Sequence, residues 1–278
     1  TFSFKCIVTL LFSLVLVIGC KNINSNTNKD NQLDKVQYKN GPAIFNDIHN
    51  IIRTSPGDEA PRYGIGDVAK ELKKAKILSK AASDLNWIER GPANVAGRTR
   101  DVIIDPSDST ARTWFLGSVG GGIWHTEDAG DSWELLTPEI TSMATSTLAM
   151  APSDNNVIYA GTGEGIGSLP AIAGTGIWKS TDRGRSWQVL ESTSNNNNFA
   201  YISRIIINPK DENEVLVCTR SKRIDGTRVS RIYKTTDGGI TWISALSRSN
   251  TLIQQLVASP DDFNVLYATL NNVGVYKS

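Results

Sequence analysis

The octet STDRGRSW spans residues 180–187, and octets of the same pattern stand at residues 126–133 (TEDAGDSW) and 235–242 (TTDGGITW). In each octet, glycine follows the aspartate by two residues and tryptophan follows it by five. The residues concerned are Asp128, Gly130, Trp133, Asp182, Gly184, Trp187, Asp237, Gly239 and Trp242. The tryptophans are separated by 54 and 55 residues. A constant period of this length indicates a repeat protein.

Each period contains four strand signals. The first is an apolar segment that ends at a proline, as at residues 101–106 (DVIIDP) and 205–209 (IIINP). Proline cannot donate to a β-ladder and therefore closes the strand. A second strand follows a polar turn, a third leads into the octet and a fourth leaves it. Four short antiparallel strands in roughly 50 residues are typical of one propeller blade.

The sequence therefore predicts an all-β fold, a β-propeller with about four consecutive four-stranded blade units over residues 86–278. Residues 86–89 (NWIE) resemble the strand that leaves an octet, so the propeller is expected to begin on an outer strand. Residues 275–278 (VYKS) match the strand that leads into an octet, which reads IWKS at residues 177–180 and IYKT at residues 232–235, so another copy begins here. We therefore expect a fragment that forms an open arc.

The octets resemble the Asp-box, or BNR repeat, of sialidases, xyloglucan-cleaving glycosidases, the photosystem assembly factor and the sortilin propeller. In such a hairpin turn, aspartate accepts backbone hydrogen bonds, glycine supplies a positive φ and tryptophan packs between blades. These residues are therefore expected to be structural. Residues 87–92 (WIERGP) and 97–100 (GRTR) also resemble the start of sortilin-like or glycosyl-hydrolase-like exported proteins of Bacteroidetes-type bacteria.

The N-terminal sequence predicts export. Residues 1–19 contain an apolar run of signal-peptide length, and residues 17–20 (VIGC) resemble the bacterial lipobox. The resemblance implies a lipid on Cys20 and an outer-membrane lipoprotein of the bacterial cell envelope, facing the periplasm or the cell surface; an uncleaved membrane anchor is the alternative. Residues 20–40 are expected to be a flexible tether, and residues 41–85 a helical segment that packs on the propeller.

Composition argues against several classes of partner. Basic and acidic residues number 29 and 28, which predicts no broad field that would attract nucleic acid. The glycine run at residues 117–122 precedes a strand signal rather than a helix, so no phosphate-binding cofactor loop is predicted. His125 has no accompanying ligand cluster, so no metal is predicted. Cys218 lies in an apolar strand and is expected to be buried.

The loops opposite the Asp-box hairpins are the expected ligand face. They lie around residues 98–101, 161–176 and 219–231. The candidate ligand residues are Arg98, Arg100, Glu164, Arg223 and Arg228. Solvated charge is an alternative for the basic third loop, and salt bridges inside the ring are an alternative for the arginines of the first.

Two main functions remain. The first is a non-catalytic module that binds a glycan or a protein. The alternative is a glycoside hydrolase, which needs two carboxylates roughly 5–9.5 Å apart; Asp101 and Glu164, with Glu89, are the candidates. The sialidase Arg-Ile-Pro and the xyloglucanase Arg-Thr-Asp-x-Gly-Gly segments are absent, which favours the binding module. An assembly factor is the third possibility.

Overall fold

The computed structural model describes residues 98–278 apart from 138–143, 165–171 and 223–224, together with isolated positions between 52 and 74. The chain divides into two compact units, Thr1–Pro61 and Arg62–Ser278. The expected signal peptide, the tether with Cys20 and the segment around Trp87 lie outside the described residues. In the expected helical segment, Ile52, Lys70, Glu71 and Lys74 are helical. Among the described residues, no helix has the length and apolar character needed to cross a membrane.

Fifteen strands form four antiparallel sheets in the described part of the chain. The first sheet contains β1 (Thr99–Ile104), β2 (Trp114–Ser118), β3 (Gly122–Thr126) and β4 (Glu134–Leu135). The second contains β5 (Thr145–Met150), β6 (Ile158–Thr162), β7 (Ile177–Ser180) and β8 (Gln188–Val189). The third contains β9 (Tyr201–Asn208), β10 (Asp211–Arg220), β11 (Val229–Thr235) and β12 (Ile243–Ser249). The fourth contains β13 (Ile253–Ala258), β14 (Leu266–Leu270) and β15 (Gly274–Lys277).

The four sheets are consecutive propeller blades, which confirms the predicted all-β propeller. Strands in each sheet are hydrogen-bonded in chain order. The first strands of neighbouring blades contact one another, β1 with β5, β5 with β9 and β9 with β13, so these strands are the innermost. The fourth blade has three strands rather than four.

Apolar side chains fill the space between successive blades. Blade 3 shows how the strand period of two produces this arrangement. Val215 and Val217 belong to the cluster shared with blade 2, whereas Leu216 and Cys218 belong to the cluster shared with blade 4. Both faces of the sheet are covered, so the strand is apolar at successive positions. Cys218 is fully buried, as expected, and burial raises the pKa of its thiol to about 12.

A β-bulge recurs near the start of every innermost strand. The extra residues are Arg100, Ser146, Ser203 and Gln254. In blades 2 and 3 the bulged residue is serine, and its hydroxyl joins two blades. Ser146 Oγ donates to the Ile202 carbonyl, 2.5 Å away, and Ser203 Oγ donates to the Ile253 carbonyl, 2.8 Å away. The bulge therefore redirects a side chain towards the next blade.

Candidate functional site

The aspartates of the three octets organise hairpin turns. Asp182 accepts hydrogen bonds from the Ser186 amide (2.8 Å), the Ser186 hydroxyl (2.6 Å) and the Ser180 hydroxyl (2.8 Å). Asp128 and Asp237 accept the corresponding three bonds in their own turns. These hydrogen bonds hold the pKa of each carboxyl below its usual value. The acceptor atoms are thus engaged within the turn.

Two successive residues of each turn adopt a positive φ. Gly184 has φ 83°, and Arg183 before it has φ 61°. Only the glycine was expected to adopt a positive φ. The position before it holds a different residue type in each octet, so no residue pattern indicates its backbone conformation. The octet tryptophans are half-buried. Trp187 packs against the cluster shared by blades 1 and 2, and Trp242 Nε1 donates to Ser192 Oγ of blade 2 (3.1 Å).

The opposite end of the propeller is where the innermost strands begin, and we call it the leading end. Three of the predicted ligand residues meet there. Glu164 is 3% exposed and accepts hydrogen bonds through Oε1 from Arg98 Nη2 and from Arg100 Nη2, the latter at 2.8 Å. The Arg100 side chain is 26% exposed and that of Arg98 is 52% exposed. One buried carboxylate therefore orients two guanidinium groups, and one of these reaches solvent.

Backbone contacts fix the position of Glu164. Its amide donates to the Ile172 carbonyl (2.9 Å), and it forms an isolated parallel bridge with Ile202 at the start of blade 3. The preceding Gly163 has φ 88°, and its amide donates to the Ala144 carbonyl (2.8 Å). A side chain at position 163 would lie 2.2 Å from the Ala200 carbonyl oxygen. Glycine here allows the close approach of two blades.

Asp101 connects three innermost strands. Its Oδ2 accepts hydrogen bonds from the Thr147 hydroxyl (3.0 Å) and the Leu148 amide (2.9 Å), and Arg204 Nη1 lies 3.5 Å away. Arg204 was not predicted. It stands five residues before Pro209, as Asp101 stands five before Pro106, and this shared repeat position is the signal that would have found it.

The blade 3 side of the leading end holds further arginines. The Arg228 guanidinium lies over the Tyr201 ring, 5.4 Å from its centroid. Arg231 Nη1 donates to Asn198 Oδ1 (2.8 Å), and Asn198 belongs to a short 3₁₀ turn before β9. Arg223 lies outside the described residues. Tyr201 and Asn198 were not predicted, because nothing in the octet pattern marks the first residue of β9 or the residues before it.

Charge is unevenly distributed along the propeller axis. Among the residues that the structure describes, the basic residues of the leading end are Arg98, Arg100, Arg204, Arg220, Lys222, Arg228, Arg231 and Arg248, and the acidic ones are Asp101, Glu164 and Asp225. At the Asp-box end the acidic residues outnumber the basic ones. The total charge of the chain is balanced, but the described residues of the two ends carry net charges of opposite sign.

Other candidates show no catalytic arrangement. Among the described residues, no group of three or more His, Cys, Asp and Glu side chains could hold a metal ion. The His125 ring packs on Phe115, with centroids 4.7 Å apart. A cavity of about 490 Å³ lies between blade 2 and the Asp-box turn of blade 3. The residues that line it include Lys179, Glu191 and Ile240.

Comparison with known proteins finds relatives in sequence and in structure. The chain is 30% identical over 142 residues to the xyloglucanase Xgh74A of Acetivibrio thermocellus, which covers 44% of this chain and 16% of that protein. A Paenibacillus xyloglucanase is 26% identical over 176 residues, covering 56% of this chain and 16% of the relative. The crystal structure of an ancestral GH74 enzyme superposes with a TM-score of 0.48 at 21% identity, covering 67% of this chain and 26% of that one.

The chain thus spans about a sixth of the length of these xyloglucanases. A family profile described as Sortilin, neurotensin receptor 3 matches residues 121–270, which is more than half of the 278 residues. The matched segment runs from the turn before β3 to the end of β14 and so includes all three Asp-box hairpins. This chain belongs to the Sortilin-Vps10 family.

Proposed function

We propose that this protein is a glycan-recognising propeller that holds a polysaccharide at its leading end. The observation that carries the proposal is the pairing of buried Glu164 with Arg98 and Arg100. Similarity to two xyloglucanases supports a polysaccharide as the ligand. We also propose that the described residues bind the polysaccharide without catalysing a reaction.

The arginine pair has the properties of a binding group. A guanidinium presents five N–H donors in a rigid fork and suits the oxygen atoms of a sugar. Because Glu164 already holds both side chains in place, less conformational entropy remains to be lost when a ligand binds. The 52% exposure of the Arg98 side chain leaves donors directed to solvent. Arg98 is therefore the residue that we expect to contact the ligand.

The two candidate carboxylates act as acceptors in the folded protein. A general acid must carry a proton that it can deliver, whereas Glu164 accepts from two groups that only donate. Asp101 accepts from the Leu148 amide and the Thr147 hydroxyl and so joins two blades. These contacts support structural and orienting roles for both side chains.

Calorimetric titration of the full chain with polysaccharides tests the proposal. We expect binding of at least one polysaccharide, and a loss of about tenfold in affinity for Arg98→Ala, equivalent to about 1.4 kcal/mol. Arg185→Ala is the matched control, because Arg185 is an exposed arginine at the Asp-box end. Absence of polysaccharide binding, or equal losses in the two variants, would contradict the proposal.

Glycoside hydrolysis is the second candidate, and the similarity to xyloglucanases favours it. Release of reducing ends from xyloglucan by the full chain measures it directly. If turnover occurs, the non-catalytic proposal is wrong. The variants Glu164→Gln and Asp101→Asn then show whether the candidate carboxylates take part in hydrolysis. Replacing a catalytic carboxylate by its amide would remove nearly all of the enzyme's activity.

We also propose that the protein is anchored to the bacterial cell envelope through a lipid on Cys20, on the basis of the lipobox-like residues 17–20. Metabolic labelling with a fatty acid and membrane fractionation test this. The Cys20→Ala variant is expected to lose both the label and the membrane association. Retention of the variant in the membrane fraction would favour the uncleaved anchor.

A further inference from the structure

We infer that the ligand of the leading end is an anionic polysaccharide, one whose sugars carry carboxylate or sulfate groups. The inference rests on the proposed glycan-binding function and adds the chemical class of the glycan. The observation behind it is the excess of arginine and lysine at this end of blades 1 and 3 among the described residues.

The cations of blade 1 are partly neutralised. Arg98 and Arg100 share the single carboxylate of Glu164, so this group keeps a net positive charge. Arg204 of blade 3 lies within ion-pair distance of Asp101, which also accepts two neutral hydrogen bonds. The ion pairs therefore fix these arginines without removing the positive charge of the surface.

Two cations of blade 3, Arg228 and Arg231, are held by neutral groups. Arg228 lies over the Tyr201 ring, and Arg231 donates to the Asn198 side-chain amide. Among the residues that the structure describes, neither arginine has a carboxylate within ion-pair distance. A neutral partner orients the guanidinium and leaves its charge available. Planar guanidinium groups bind carboxylate and sulfate-like oxygens through paired hydrogen bonds.

The Asp-box end carries the opposite charge, which also favours binding of an anionic ligand at the leading end. Its described acidic residues are Asp105, Asp108, Glu127, Asp128, Asp131, Glu134, Asp154, Asp182, Glu191, Asp211, Glu212, Glu214, Asp237, Asp261 and Asp262. Its basic residues are Arg112, Lys179, Arg183, Arg185, Lys210, Lys234 and Lys277. The described charges at the two ends of the propeller are therefore opposite in net sign. A polyanion would be repelled by the Asp-box end and attracted to the leading end, which orients the encounter.

The test compares polygalacturonate, dextran sulfate and neutral xyloglucan as ligands of the full chain. We expect tighter binding of at least one anionic polymer, weakening as salt rises from about 0.05 M to about 0.5 M because added ions screen exposed charges. The difference between polygalacturonate and dextran sulfate distinguishes carboxylate from sulfate recognition. Binding is measured by calorimetry and by affinity electrophoresis.

The paired variants locate the site. Arg228→Gln combined with Arg231→Gln is expected to weaken binding of the anionic polymer about tenfold or more, whereas Arg185→Gln changes it less than about twofold. The glutamines retain side-chain length and hydrogen-bonding capacity. Thermal melts of both variants verify the fold, and Arg228→Lys, which keeps the charge, is expected to recover part of the affinity.

Three results would overturn the inference. If xyloglucan binds as tightly as the charged polymers and is insensitive to salt, the ligand is neutral, although the proposed glycan function stands. If poly-glutamate or a single-stranded oligonucleotide binds as tightly as the anionic polysaccharides, the surface recognises polyanions in general. If no polysaccharide binds at all, the proposed function itself fails.

Discussion

The two ends of the propeller are built according to different rules. At the Asp-box end the same turn occurs in three blades, with corresponding hydrogen bonds from the flanking hydroxyls and amides. At the leading end the equivalent positions differ between blades: the bulged residue is Arg100 in blade 1, Ser146 in blade 2, Ser203 in blade 3 and Gln254 in blade 4. Repetition marks the scaffold, and departure from repetition marks the surface that we propose for binding.

The difference has a physical origin. An Asp-box turn satisfies its own backbone groups, so it can be repeated wherever a hairpin is required. Glu164 instead depends on partners from another blade, since Arg98 and Arg100 belong to blade 1 and the bridge to Ile202 involves blade 3. Substitutions at the leading end should therefore affect several blades, whereas substitution of an Asp-box aspartate should act within its own turn.

The largest effect is expected for Gly163→Ala. The residue has φ 88°, and an added Cβ would lie 2.2 Å from the Ala200 carbonyl oxygen and 2.7 Å from the Gly174 amide nitrogen. Backbone atoms cannot move aside as a side chain can, so blades 2 and 3 must separate. We expect a loss of about 3–5 kcal/mol in the free energy of unfolding, measured by urea denaturation.

Gly226→Ala is the control for this substitution. Gly226 also has a positive φ, 75°, but an added Cβ would have no heavy atom within 4 Å. Its cost is confined to the left-handed backbone and should be about 1 kcal/mol. Similar losses for the two variants would mean that blades 2 and 3 are not in close contact at Gly163.

The next largest effect is expected for Glu164→Gln. The amide retains the shape but not the charge, and Arg100, whose side chain is 26% exposed, loses its counter-charge. We expect a loss of about 2–3 kcal/mol in the free energy of unfolding. This loss is small for the breaking of a buried ion pair, because Arg98 can turn to solvent. Glu191→Gln, at an exposed position, should change stability by less than about 0.5 kcal/mol.

Periodicity made the propeller predictable from the sequence. The 54- and 55-residue spacing of the octet tryptophans and the prolines that close the innermost strands determine the blades and their order. Neither the bulges nor the positive φ at Arg183 were predicted, since the residue types at these positions vary. The conformation of the turn is stabilised by hydrogen bonds within the octet, whereas the side chains at the bulges of blades 2 and 3 bond to the next blade.

The leading end was predictable only as a set of loops. Arg98, Arg100 and Glu164 were candidates individually, but Glu164 lies 64 residues after Arg100, and no periodic signal links them. Arg204 could have been found from its repeat position, whereas Tyr201 and Asn198 could not. The distribution of charge was also hidden, because a net charge of +1 does not indicate which end each residue occupies.

A smaller effect is expected for Ser203→Ala, which tests the bond between blades 3 and 4. The Ser203 hydroxyl donates to the Ile253 carbonyl at 2.8 Å, and the side chain is buried. Removing the hydroxyl leaves that carbonyl without this donor, at a cost of about 1 kcal/mol. Gln254→Ala, at the exposed bulge of blade 4, should be nearly neutral in the same denaturation experiment. A larger loss at Gln254 would reverse our assignment of the serine as the connecting group.

The smallest effect at neutral pH is expected for Asp182→Asn, and its pH dependence is the informative measurement. Hydrogen bonds from Ser186 and Ser180 hold the pKa of Asp182 below its usual value. A carboxyl whose pKa is lower in the folded state contributes stability that is fully present above the unfolded pKa of about 3.9 and is lost as pH falls through the folded value. Asparagine does not titrate, so the variant lacks this dependence.

The melting temperature of the wild type should therefore fall more steeply than that of Asp182→Asn as the pH is lowered below about 4, and the two curves should converge in acid. Asp128 and Asp237 titrate in both proteins, since their pKa values are lowered by the same kind of turn, so both curves still decline. Parallel curves would show that Asp182 gains nothing from its charge, and the Asp-box would then depend on turn geometry alone. Convergence would instead show that the charge of Asp182 strengthens its hydrogen bonds, as expected of an aspartate whose hydrogen-bond partners all lie within its own turn.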